Sequence, residues 1–434
     1  MIQLDPLPFG VHKWSMDTGK YNFFYLLLLG CLLLSTEGMA ASSALQKVDA
    51  LLFQGQVERA AQLCKTELER SPDNLDIRNN LGNIYLLQGR ISAAQKEFEA
   101  ILKQQPTYVQ ARNNLGLCYL RRDRPAQAVE AFRKVLDHQP DHLQGMVNLT
   151  EGLIAMGDHE EAGMTLTYAL IVHTEIPSLH YRMGTLSALQ GDFAEAMKRY
   201  TRALELDPRH LASLIQAGFA SLALDRLEQA LGFFAHANRL KPDDPNIHHG
   251  LGLCLLRQGL LDDGIDALNH SLRLRPGDDR IHAQLAQAWE QHGNYDAEGR
   301  ALKHYQRALT LNPKNQSATF HLALLMEELV RKADAEQLYT TLLKLDPQHL
   351  EGKTRLALLL KGRHEYEPAA QLLAQVVEAT PNNSFLKLQL AGLYKQLGRK
   401  ALAVALVQDV RDGATDLRHR EQADKMFEGL QADE

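Results

Sequence analysis

The sequence predicts an all-α fold, a solenoid of about eleven stacked helix hairpins. Three observations predict it: a 34-residue period, small residues held at two phases of that period, and amphipathic spacing in each half of it. The period shows first in "NNLGNIYLLQGR" at 79–90, which returns as "NNLGLCYLRRDR" at 113–124 and, weaker, as "VNLTEGLIAMGD" at 147–158. Composition agrees. With 45% hydrophobic, 6% aromatic and 23% charged residues, neither a disordered nor a multi-span membrane chain is indicated, and the abundance of Ala, Leu and Gln favours helix.

Prolines mark the units. They fall at Pro72, Pro106, Pro140, Pro208, Pro242, Pro276, Pro313, Pro347 and Pro381, 34 residues apart except for one double gap and one gap of 37. Units therefore begin at 41, 75, 109, 143, 177, 211, 245, 279, 316, 350 and 384, and the array fills 41–414. At the eighth phase stand Gly82, Gly116, Gly184, Gly218 and Gly252, with Thr150 in the fourth unit and Ala286, Ala323, Ala357 and Ala391 further on. At the twentieth stand Ala94, Ala128, Ala162, Ala196 and Ala230. Gly inside a helix costs about 0.5–1 kcal/mol relative to Ala, so its return at one phase implies that two helices cross there at close range.

Large residues recur at complementary phases, Leu81, Leu115 and Leu149 at the seventh, Phe98, Phe132, Tyr200 and Phe234 at the twenty-fourth. Apolar residues at i, i+3, i+4 and i+7 make each half an amphipathic helix. Between the halves lies a breaker such as Gln88-Gly89-Arg90 or Met156-Gly157-Asp158, and the proline at phase 32 ends the second helix. One such hairpin cannot bury its apolar stripe, so neighbours must stack.

This pattern resembles the tetratricopeptide repeat. The first-helix Trp of that family is absent, with Arg78, Arg112, Met146, His180, Leu214, His248 and His282 at its phase, and the first unit has Val48 where Gly is usual. The resemblance implies a right-handed superhelical solenoid with partners bound on a concave face, lined by phases two, five, six, nine, twelve and thirteen. Candidates there are Asn80, Asn114 and Asn148 at phase six, beside Asn79 and Asn113. A side-chain amide both donates and accepts, so a ladder of them could hold an extended peptide; solvated asparagines without that role are the other reading.

From the fourth to the sixth unit the same phases turn apolar, with Val147, Ile154, Ala155, Tyr181, Leu189, Ile215, Phe219 and Leu222. These either form a patch for an extended peptide or amphipathic helix or pack between repeats. Further on the phases are polar, with Gln284, Gln287, Glu290, Gln291, Glu327 and Glu328, so a partner with an apolar and a basic part would suit. The 37-residue eighth unit carries three extra residues in "GNYDAEGRAL" at 293–302, either a tolerated loop or an added contact surface.

Residues 1–40 read as an address. The run "YNFFYLLLLGCLLL" at 21–34, preceded by Lys13 and Lys20 and followed by "STEGMAAS", has the pattern of a secretory signal cut before Ala41. A lipobox at "LLGC" and an uncleaved membrane anchor are alternatives, and Met16 is a better-placed start than Met1. At the other end, 415–434 reads as a capping helix whose Leu417, Met426, Phe427 and Leu430 cover the last repeat.

A net charge of -6 without a basic run disfavours nucleic acid. Cys64, Cys118 and Cys254 are too far apart for a disulfide framework or a CxxC site. The adjacent His248 and His249 point about 100° apart on a helix and make no chelate. No catalytic or cofactor motif is present, and the repeats leave no residues for a catalytic domain. The expectation is a non-enzymatic, cofactor-free, metal-free interaction scaffold, exported to the periplasm, touching membrane only through its N-terminal segment. Alternatives are an assembly or secretion factor for envelope polymers or pili, a recruiting arm for an enzyme such as a glycosyltransferase, or a self-assembling structural protein.

Overall fold

The computed structural model describes residues 43–413 and 416–432. Within them every regular element is an α-helix, and no strand occurs among the described residues. The chain divides into two compact units, with the division between Leu240 and Lys241.

The first unit contains α1 (Ser43–Phe53), α2 (Val57–Arg70), α3 (Leu75–Leu87), α4 (Ile91–Gln104), α5 (Val109–Arg121) and α6 (Pro125–His138). It continues with α7 (Leu143–Met156), α8 (His159–Val172), α9 (Pro177–Leu189), α10 (Phe193–Leu206), α11 (Leu211–Ala223) and α12 (Leu227–Leu240). The second unit contains α13 (Pro245–Arg257), α14 (Leu261–Leu274), α15 (Asp279–His292), α16 (Ala297–Leu311), α17 (Gln316–Glu328) and α18 (Lys332–Leu345). It ends with α19 (Leu350–Gly362), α20 (Tyr366–Ala379), α21 (Ser384–Gln396), α22 (Lys400–Gly413) and α23 (Leu417–Ala432). Up to α22 each odd-numbered helix packs on the even-numbered one after it across a short turn, the arrangement of a helix hairpin.

Local chemistry explains why helices start where they do. The residue before each odd-numbered helix often caps it: Asn74 accepts from the Ile77 amide at 3.1 Å, Asn315 from Ala318 at 2.8 Å and Asn383 from Leu386 at 3.1 Å. Histidine does the same work at His142 and His349, whose Nδ1 accepts from Gly145 at 2.9 Å and from Gly352 at 3.0 Å. The absent Trp also finds its replacement. Arg78 donates to the Pro72 carbonyl at 2.8 Å, Arg112 to that of Pro106, and His248 Nε2 to that of Pro242 at 2.6 Å. The phase-four side chain thus ties down the proline turn six residues earlier, while Met146 and Leu214 at the same phase are buried.

The glycines of phase eight make room for the large ring of phase 24 in the same hairpin. A Cβ on Gly82 would meet the Phe98 ring at 2.5 Å, one on Gly184 the Tyr200 ring at 2.7 Å and one on Gly218 the Phe234 ring at 2.6 Å. Gly116 stands in the same relation to Phe132, and Gly252 to Leu268 at 2.9 Å. Ala94, Ala128, Ala162, Ala196 and Ala230 are fully buried. In the fourth repeat the sizes trade places: buried Thr150 replaces Gly, and Leu166 replaces the aromatic.

The turn inside each hairpin needs one left-handed residue. Gly supplies it at Gly89, Gly157, Gly191, Gly259, Gly293 and Gly398, but Asp123, Asp225, His364 and Val330 do so elsewhere, Val330 at φ 59°. A β-branched residue is poorly suited to that region, and this one is exposed. Val330→Gly is therefore expected to raise stability by about 1 kcal/mol, strain relief exceeding the added entropy of the unfolded chain. Urea unfolding of the two proteins checks this.

In the eighth repeat the hairpin turn is lengthened by Gly293 to Asp296, with Tyr295 fully exposed and the Arg300 guanidinium over the Trp289 ring at 4.4 Å. At the C-terminus α23 packs on α21 and α22 through buried Ala423 and Leu430, with Met426 and Phe427 partly covered. Leu417, expected to help cover the last repeat, is 71% exposed. It is the first residue of α23, and Ala423 fills the covering position instead. Residues 1–40, with the expected signal, lie outside the described residues.

Candidate partner-binding face

The sequence-predicted asparagines sit on α3, α5 and α7 and bond to each other diagonally. Asn148 Nδ2 donates to Asn113 Oδ1 at 2.9 Å, and Asn114 Nδ2 to Asn83 Oδ1 at 2.8 Å and Asn79 Oδ1 at 3.4 Å. Phase six of one repeat thus reaches phase five of the repeat before, a spacing of 35 residues instead of 34. Gln144 Nε2 donates to Asn148 Oδ1 at 2.8 Å, so Asn148 is engaged through both of its amide atoms. Asn113 and Asn148 are buried and hold two repeats together. Asn79, Asn80, Asn83 and Asn114 stay half-buried and are the amides this face can present. Asn83 escaped the sequence reading because phase nine is apolar or charged in most other repeats.

The apolar candidates separate in the same way. Tyr181 is half-buried, its ring centroid 5.5 Å from that of His210. Ile215, Phe219 and Leu222, expected as groove surface, are buried, with Phe219 edge-on to Phe234 at 5.1 Å. An apolar side chain on the flank of a helix gains more by turning into the packing than by staying in water, so these three serve the core. Val147 is buried as well, while Ile154 and Leu189 are half-buried and Ala155 is exposed.

The second unit repeats the diagonal bond with other residues. His249 Nε2 and Gln284 Oε1 are 2.6 Å apart across 35 residues, both groups buried. Burial lowers the His249 pKa to about 4, so the ring is neutral at pH 7 and donates from Nε2. The neighbouring His248 stacks on His270 at 4.0 Å, so the two adjacent histidines go to different partners. No group of three or more His, Cys, Asp or Glu that could hold a metal occurs among the described residues. Cys64, Cys118 and Cys254 are buried free thiols, and burial pushes each up to about 12.

On α15 and α17 polar groups face each other incompletely satisfied. The Gln287 side chain is 6% exposed, and neither its Oε1 nor its Nε2 has a hydrogen-bond partner among the described residues. One turn on, Glu290 accepts from the Tyr305 hydroxyl at 2.6 Å. Burial lifts the Glu290 carboxyl to about 7, Tyr305 opposing and Glu328 adding to the rise. In the next repeat Glu327 takes the place of Glu290 and Tyr339 that of Tyr305. Burial, then Glu327, raises the Tyr339 hydroxyl, yet no hydrogen bond of normal geometry joins the two. Arg355 approaches Glu327 at 3.7 Å. Glu328 and Gln291 are exposed beside this row. Gln287 is closed off by its neighbours, so this strip offers the carboxyl groups of Glu290, Glu327 and Glu328 to a segment laid along it.

A stack of helix hairpins with polar groups on its first helices defines a repeat protein of the binding class. Family models described as tetratricopeptide repeat match residues 51–115 and 188–254, 109–142, and 299–349. The chain belongs to the tetratricopeptide-repeat family, whose all-α solenoid is a protein–protein interaction scaffold and is typically non-enzymatic. No curated protein matches it in sequence. Among solved structures, human IFIT1, described as a dimer with PPP-AAAA, is similar at a TM-score of 0.53 and 16% identity, covering 93% of this chain and 97% of that one. A tetratricopeptide repeat protein from Parabacteroides merdae is similar at 0.49 and 16%, covering 58% and 98%, and yeast Tom70 at 0.44 and 14%, covering 89% and 95%. At these identities the likeness to IFIT1 bears on the fold alone.

Proposed function

We propose that this protein is a non-enzymatic scaffold that binds an extended peptide or amphipathic helix of a partner protein, and that the strip formed by Glu290, Glu327 and Glu328 engages a segment bearing a basic residue. The observation that carries the reading is the row of carboxylates left half-buried or exposed on α15 and α17: Glu290, which accepts from Tyr305 at 2.6 Å, Glu327, approached by Arg355 at 3.7 Å, and exposed Glu328. The carboxylates of Glu327 and Glu328 account for the basic preference, joined by Glu290 when a bound cation draws off the proton that burial holds there. Export to the cell envelope is part of the proposal and rests on residues 21–40 alone.

Selection of displayed peptides on the full chain tests the binding reading. Enrichment of lysine- or arginine-bearing peptides, with affinity falling about tenfold in Glu290→Gln and Glu327→Gln, is expected. Binding that survives both variants but fails in a paired Asn80→Ala, Asn114→Ala protein would move the site to the first unit. Failure to enrich any peptide would overturn the reading.

A ligand-free measurement checks the Glu290 environment. Its folded pKa of about 7 lies above the ordinary 4.5, so the folded state holds the extra proton between the two, and stability falls as pH rises through that window. Glu290→Gln should therefore melt at a higher temperature than the wild type at pH 8 and at the same temperature near pH 4.

A further inference from the structure

One helix of the first unit carries an apolar stripe on its exposed side. On α8, Met164 is 60% exposed, Tyr168 48%, Ile171 69% and Val172 39%. Their spacing of i, i+4, i+7 and i+8 places them on a single face. The same phases one repeat earlier, on α6, are Glu130, Lys134, Asp137 and His138; one repeat later, on α10, they are Lys198, Arg202, Glu205 and Leu206. The fourth repeat alone in this unit has exchanged a charged outer face for an apolar one. Its buried face is ordinary, with Ala162, Leu166 and Ala169 fully covered. The exposed part of the stripe is therefore covered by nothing among the described residues.

We propose that this face is a self-association surface, on which α8 of one chain packs against α8 of a second copy about a two-fold axis. The flanking charges argue for that occupant. Glu130 pairs with Lys134 at 2.6 Å, Arg133 with Glu161 at 2.6 Å, Lys198 with Glu195 at 3.1 Å and Arg202 with Glu205 at 2.8 Å. The rim thus alternates in sign, and its lysines and arginines are paired within the chain, so it offers no positive field to an acidic partner or to an anionic lipid surface. A surface of mixed sign with an apolar centre complements itself under two-fold rotation. Size agrees: four half-exposed side chains present on the order of 400 Å² of apolar area, at the scale of the patches that mark interfaces. With the flanks of α6 and α10, each copy would contribute roughly the 800 Å² of a standard interface. A two-fold contact closes on itself, so the product is a dimer, not a filament. This surface is separate from the peptide-binding strip, and neither reading depends on the other.

Sedimentation equilibrium on the full chain tests the proposal. The wild type is expected as a dimer at about 10 μM, with Ile171→Glu raising the dissociation constant at least about tenfold and leaving the thermal melt unchanged. Met164→Lys is the second variant, expected to act in the same way should Ile171→Glu disturb folding. A wild type that stays monomeric at about 100 μM overturns the proposal, including the case in which another segment of the chain covers the stripe. So does a dimer that both variants leave intact, which would place association elsewhere, in the apolar run at 21–34 for instance.

Discussion

Replacing Gly116 with Val is expected to destabilise the first unit by about 3 kcal/mol or more, the largest effect of any single substitution considered. A Cβ at this position would come well inside van der Waals distance of the edge of the Phe132 ring, which is itself fully buried, so the ring or one helix of the hairpin must shift, and the further methyls of Val add to the crowding. The fourth repeat offers a precedent in Thr150 with Leu166, although Ala323 with Tyr339 and Gly252 with Leu268 show that the two sizes are not tied in every repeat. Gly116→Val combined with Phe132→Leu should accordingly recover part of the loss. Urea denaturation of the two single variants and the double variant gives the coupling energy, and a coupling of zero would sink the packing account.

Asp278→Ala should cost about 2–3 kcal/mol in the second unit, through two losses at once. Asp278 caps α15, accepting from the Arg280 amide at 3.2 Å, and its buried carboxylate is approached by Arg280 at 3.2 Å and Arg275 at 3.5 Å. Burial works against its charge, but Arg280, by charge and hydrogen bond, together with His249 and Arg275, outweighs burial and holds the carboxyl down to about 2. The sign follows from linkage. A depressed acid contributes its full stabilisation above the ordinary pKa of about 4 and loses it as pH falls through its folded value. The difference in melting temperature between wild type and variant should thus be largest near pH 7 and shrink towards pH 2. Melting curves across that range check it, and a difference independent of pH would mean that the cap alone matters.

How much was legible depended on whether an interaction repeats. The first helix of each repeat from the second onward begins on the residue counted from the prolines, from Leu75 to Ser384, because a covalent period of 34 residues leaves the hairpin little choice. The glycines at phase eight were legible as a close approach, and only their partner, the phase-24 ring, required coordinates. Asn113 and Asn148, expected on the binding face, are buried because they bond to each other at a spacing of 35, one residue out of register with the period used to find them. A search at a single period aligns like with like and cannot see a contact between unlike phases.

The sequence by itself determined the helix hairpin, its length, its turn and its small-to-large packing, since each arises within one repeat and is written again in the next. Tertiary structure alone decided which side chains remain available. Asn148 was drawn into the seam while Asn80 stayed half-buried, and Phe219 was buried while Ile171 was not. The physical reason is that exposure depends on what neighbouring repeats place against a residue, and at the phases of the binding strip and the outer face those neighbours differ from one repeat to the next.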